Sequence, residues 1–183
     1  MARLPEIDRD TLTAEQQCVY DAIASGPRGA VRGPLAVWLR RPQLADTAQA
    51  LGRYCRYDSS LTKDLSELAI LVTARAWSSE FEWWAHKRHG LDAGLTPELI
   101  EAIRTNAAPV FANDEQAVVF DVATAMNTDK RLSDVLYARA YAVLGEQRLI
   151  DLIGVLGYYA LISMTINAFD VDAPEGASKE LDL

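Results

Sequence analysis

The sequence predicts an all-α protein of about seven to eight helices. Three features carry that expectation. No stretch alternates apolar and polar residues for long enough to make a strand, apolar residues recur at helical spacing along the chain, and the breaks between periodic stretches hold helix-starting and helix-stopping residues. With 183 residues, half of them hydrophobic and 24% charged, the chain has material for one domain, residues 1–183, with a substantial core.

Each element follows from local signals. Thr13 to Gln16 has the form of a capping box and opens a helix to about Ile23. The glycine- and proline-rich segment Ser25 to Pro34 reads as a loop, and a short turn from Leu35 to Arg40 follows. Pro42 suits the first turn of a helix running to about Tyr57, because its missing N–H has no partner to lose there. After a break at Asp58, Ser59 and Ser60, Thr62 to Trp77 forms a helix whose second half is apolar nearly all round, the mark of a buried helix. Another starts near Ser79 and ends near Gly90 and Gly94. Thr96 with Pro97 opens one to about Thr105, and Asn113 to Met126 and Leu132 to Leu144 supply two more.

Leu152 to Phe169 has 18 residues without a charge, which is long enough to consider a membrane span. Gly154, Gly157, Ser163, Thr165 and Asn167 within it, and Asp170 and Asp172 after it, favour a central core helix that also serves an oligomer interface. Residues 174–183 read as a frayed tail.

Charge and scarcity narrow the chemistry. Lys plus Arg number 18 against 26 Asp plus Glu, a net charge of −8, which disfavours a nucleic-acid partner. There are two cysteines, Cys18 and Cys55, in no metal-ligand or Cys-x-x-Cys spacing, and both read as inert thiols. The first ten residues lack the basic and apolar regions of a signal peptide, so the expected location is the cytoplasm. The sole histidines, His86 and His89, share one short segment.

That segment is Ser78 to Leu91. On a helix, Ser79, Glu82, Trp83 and His86 fall on one side with His89 at its margin, while Phe81, Trp84 and Ala85 lie opposite. Glu82 and His86 are i, i+4 neighbours, close enough for the carboxylate to orient the imidazole and raise its pKa, which makes a general acid/base pair. Ser79-x-x-Glu82 also has the form of a capping box. Trp83 on the polar stripe needs cover, which points to a pocket or a neighbouring chain. Glu82, His86 and His89 on one helix are too few ligands for a metal site, and no metal is expected.

These residues resemble the carboxymuconolactone decarboxylase family, which includes the AhpD-type alkylhydroperoxidases. The peroxidase branch carries a Glu, eleven residues, a Cys-x-x-Cys pair, three residues and a His. Here Glu67, Ser79, Glu82 and His86 stand at those four places. Thr73-Ala74-Arg75, Phe81-Glu82-Trp83, Ala93-Gly94-Leu95-Thr96, Tyr159 and Asn167-Ala168-Phe169 extend the likeness over roughly residues 34–169. Neither cysteine of the redox pair is present, and the chain is more similar to the decarboxylase branch, which keeps Glu-x3-His.

The resemblance implies an AhpD-like helical fold, a homo-oligomer (dimer, trimer or hexamer) with the site near subunit contacts, and a cofactor-free lyase acting on a small carboxylated lactone or related enolisable acid. His86 would donate the proton and Glu82 would orient it. Glu67 would support them or, alternatively, pair with an arginine such as Arg75. Ser79 and Trp83 would contact substrate, and Arg28 and Arg32, with Arg40 and Arg41 nearby, would bring cations for its carboxylate. Isomerisation or hydration by the same pair, a non-catalytic binding protein and a peroxidase-related activity are the alternatives. No membrane partner is expected.

Overall fold

A computed structural model describes residues 3–174 and 177–181, and it is helical throughout, with no strand among the described residues. Eight α-helices follow in order: α1 (Ala14–Ala24), α2 (Pro34–Trp38), α3 (Pro42–Arg53), α4 (Lys63–Ala76), α5 (Glu80–Asp92), α6 (Pro97–Thr105), α7 (Asp114–Thr128) and α8 (Asp134–Phe169). A short 3-10 turn (Arg9–Thr11) precedes α1, and a π-turn (Tyr54–Asp58) prolongs α3.

The starts are chemically determined. Thr13 Oγ1 accepts the Gln16 N–H while the Gln16 side chain accepts the Thr13 N–H, a complete capping box. Pro42 and Pro97 sit in the first turns of α3 and α6, and Thr96, Asn113 and Ser133 cap α6, α7 and α8. The expected box at Ser79 does not form: the Ser79 side chain makes no capping bond, because Glu82 turns toward His86 instead.

Helix α4 is the axis of the domain. All residues from Leu65 to Ala74 are buried, and the helix packs against α5, α7 and α8. The two expected helices over 132–169 are one continuous element interrupted at Gly145, whose φ of 74° and ψ of 172° turn the chain between residues 134–144 and 146–169. Only glycine takes that conformation without strain. The charge-free segment lies in the second arm. Of the most apolar 18-residue window of α8, 61% is buried inside the fold, and Trp38 donates from Nε1 to Thr165 on the second arm at 3.0 Å. Ile150, Ile153, Leu161 and Met164 remain exposed along the opposite side.

The chain end corrects one expectation. Residues 177–181 are not frayed but cover the start of α5; residues 175, 176, 182 and 183 lie outside the described residues. The Glu180 and Leu181 N–H groups donate to the two Glu80 carboxylate oxygens at 3.0 and 2.8 Å. Glu180 Oε2 accepts from Trp83 Nε1 and Lys87 Nζ, and Leu181 is 5% exposed. The short apolar anchor and the half-buried carboxylate of Glu80 carry too little periodicity to be read from sequence.

Gly52 marks a close approach that places the later site. Its missing side chain leaves room for Tyr158 Oη and Arg28 Nη2, which a Cβ would overlap. Gly52→Ala should therefore cost about 1 to 3 kcal/mol, the usual range for overpacking, measured by urea unfolding; an unchanged midpoint would show that α3 and α8 can separate freely.

Candidate active site

Two helices bring the chemistry together. Glu67 points from the buried face of α4, and Glu82 and His86 lie one turn apart on α5. His86 Nδ1 is 2.6 Å from Glu67 Oε2, and Nε2 is 3.2 Å from Glu82 Oε2. All three side chains are buried, and His86 is only 2% exposed. Of the readings offered for Glu67, the histidine partner is the one realised, since Arg75 donates to the Arg104 carbonyl instead.

Burial alone pushes the His86 pKa down, but Glu67 and then Glu82, by charge and hydrogen bonding, more than reverse this and raise it from 6.5 to about 9. The ring is therefore an imidazolium at neutral pH, hydrogen-bonded to Glu67 through Nδ1 and ion-paired with Glu82 through Nε2. Tyr159 stacks edge-on to it with ring centroids 5.0 Å apart. Burial, followed by the Glu82 charge, holds the Tyr159 phenol well above its usual range.

Glu82 and His86 border a cavity of about 480 Å3. The loop between α1 and α2 closes one side and contributes Arg28 and Arg32; the π-turn contributes Arg56 and Tyr57; α8 contributes Tyr158 and Tyr159. Arg28 Nη2 donates to Tyr158 Oη at 3.3 Å, while Arg28 Nε is buried with no hydrogen-bond partner among the described residues. Burial, moderated by Arg28, raises the Tyr158 pKa to about 12.

Not every expected residue reaches this cavity. Ser79 is fully buried, its Oγ has no hydrogen-bond partner among the described residues, and it does not line the cavity. Trp83 is also fully buried away from it, and its cover is the chain's own Glu180. The helical stripe is rotated from the one expected: Phe81 and Ala85 face the cavity beside Glu82 and His86. Arg40 leaves the loop cluster to donate to the Pro5 carbonyl.

Arg56, Tyr57, Tyr158 and Tyr159 line the cavity without having been read as site residues. His89, set aside as marginal, lines the wall and accepts from Arg56 Nη2 at 2.9 Å. Burial, then the Arg56 and His86 charges, lower its pKa, so its Nε2 is a lone-pair acceptor and its proton sits on Nδ1. The His-x-x-His spacing was the available signal for it; no local pattern marks a π-turn arginine.

The fold is AhpD-like and all-helical among the described residues. The carboxymuconolactone decarboxylase family profile matches residues 42–125, which hold Glu67, Glu82 and His86. A solved alkylhydroperoxidase AhpD core, an uncharacterized peroxidase-related protein from Ralstonia eutropha JMP134, is similar with a TM-score of 0.78 at 14% identity, over 95% of this chain and 93% of that one. A peroxidase-related protein from Silicibacter sp. TM1040 gives 0.73 at 17% identity, over 95% and 92%. A cysteine-to-alanine variant of the debrominase Bmp8, in complex with 2,3,4-tribromopyrrole, gives 0.76 at 11% identity, over 96% and 95%. Comparison with curated proteins finds no match.

The raised His86 pKa ties stability to pH. Because the folded state holds this proton more tightly than the unfolded one, its contribution is complete below about pH 6.5 and is lost as pH rises through about 9. Thermal unfolding from pH 6 to 10 should show the melting temperature falling across that window, with a shallower fall in Glu67→Gln. Parallel curves for the two proteins would contradict the pairing.

Proposed function

We propose that the chain is a cofactor-free acid/base enzyme of the decarboxylase-like branch, acting on a small carboxylated lactone or a related enolisable acid. The observation that carries this reading is a buried imidazolium between two carboxylates at the edge of a cavity that three arginines line. Loss of CO2 breaks a carbon–carbon bond and sends its electron pair into the conjugated carbonyl. The resulting enolate carbon then takes a proton, forming the new C–H bond. Both His86 nitrogens are held by carboxylates, so the proton offered to the cavity is the one shared between Nε2 and Glu82. Glu67 keeps the ring cationic and oriented from behind, and the loop residues Arg28 and Arg32 receive the substrate carboxylate.

Thiol chemistry draws no support from the described residues. Cys18 is exposed on α1 and Cys55 is buried, both are free, and burial raises the Cys55 pKa to about 11. Proton transfer without decarboxylation would use the same groups and is separated from it by the CO2 released. The exposed apolar residues on α8, with Gly154 and Gly157 among them, support assembly into a homo-oligomer.

The test is incubation of the purified protein with carboxymuconolactone and related carboxylated lactones, following CO2. His86→Ala should lower kcat by about 10² to 10⁴, the usual worth of a general acid, while Arg28→Gln should act mainly on KM. Equal turnover by His86→Ala would remove the proton donor. No turnover of any lactone by the native protein would favour a non-catalytic binding role.

A further inference from the structure

Arg56 is one of three arginines that line the cavity. It sits on the π-turn, half-buried, and its guanidinium donates from Nη2 to the neutral His89 Nε2 rather than to a carboxylate. Asp58, the acid nearest to it in sequence, pairs with Arg53. By contrast Arg104, Arg139 and Arg148 all pair with carboxylates within 3 Å. A guanidinium has five N–H donors, and His89 occupies one. The others are left for a ligand, in the planar fork that fits a carboxylate.

The turn is fixed from behind. Asp151 on α8 is 8% exposed and accepts three short hydrogen bonds: from Tyr54 Oη at 2.6 Å, Ser60 N at 2.7 Å and Ser60 Oγ at 2.6 Å. Tyr54 begins the π-turn and Ser60 follows its end, so one buried carboxylate clamps both flanks of the segment that carries Arg56. A π-turn departs from the regular helical ladder and is a frequent feature of functional sites.

We propose that Arg56 is an anion-binding residue of the cavity, separate from the loop arginines, and that Asp151 is the positioning residue that holds it there through Tyr54 and Ser60. Its ligand class is a small carboxylate. The inference rests on reading the cavity as a carboxylate site, but not on any turnover.

The two histidines make the test direct. Protein labelled with 13C and 15N in histidine is titrated with butyrate, and with uncharged butyramide as the control, following the His89 and His86 ring signals. Butyrate and not butyramide should shift His89. Arg56→Gln should weaken butyrate at least tenfold with the fold intact by circular dichroism, and Arg56→Lys should fall between. Asp151→Asn should weaken it several-fold and let the depressed His89 pKa rise toward 6.5, a change that loss of stability alone would not produce. Butyrate binding that survives Arg56→Gln but is lost in Arg28→Gln would overturn the Arg56 assignment and leave the carboxylate reading standing. An unmoved His89 and unchanged affinity in Asp151→Asn would overturn the clamp. No response to butyrate in the native protein would sink both the anchor and the carboxylate reading.

Discussion

A cationic imidazole buried between two carboxylates is the constraint around which this domain is arranged. Removing three charged groups from water is costly, and it is tolerated only when each faces its partner at hydrogen-bond distance. His86 reaches Glu67 on one side and Glu82 on the other, so α4 and α5 must be held in one register. The packing around them does this. Residues Leu65 to Ala74 are buried on every side of α4, and the chain end from Ala177 to Leu181 fastens the start of α5 through Glu80, Trp83 and Lys87. Tyr159 closes the site from α8 and keeps bulk water off the ring.

The cavity's electrostatics run against those of the chain. The protein carries a net charge of −8, yet Arg28, Arg32 and Arg56 all line the space beside His86. A local cluster of guanidinium groups behind low-dielectric walls attracts an anion more effectively than the overall charge repels it. The phenols of Tyr158 and Tyr159 stay protonated, so they add donors and no negative charge. The wall therefore favours an anionic ligand, with the His86 ring at its edge.

Helix starts and the Glu82–His86 pair were legible in the sequence because both depend on short spacings, whereas Glu67, 19 residues before His86, entered only through the family motif. Thr13, Thr96, Pro42 and Pro97 act within one turn, and Glu82 with His86 is an i, i+4 pair on one helix. What failed depended on contacts between distant segments. Trp83 needed cover, and the sequence does place it on the polar stripe, but nothing local says that Glu180 supplies the cover. Ser79 was drawn toward substrate by the family motif, and its full burial follows from the packing of α4 against α5. Arg56 escaped notice because its position depends on a π-turn fixed by Asp151, 95 residues later in the chain, and a hydrogen-bond clamp of that kind leaves no periodicity. The loop arginines were foreseen as candidates because glycine and proline concentrate there, though only Gly52, by leaving space for Arg28 and Tyr158, explains where Arg28 is seated.

The claim on which the rest stands is that His86 is a doubly protonated cation at neutral pH. Long-range 1H–15N correlation spectra of histidine-labelled protein test it directly, since there are two histidines to assign. The account predicts that the His86 nitrogens both show protonated shifts at pH 7 and titrate near 9, while His89 stays neutral. A neutral His86 ring at pH 7, with one nitrogen carrying a free lone pair, would contradict it.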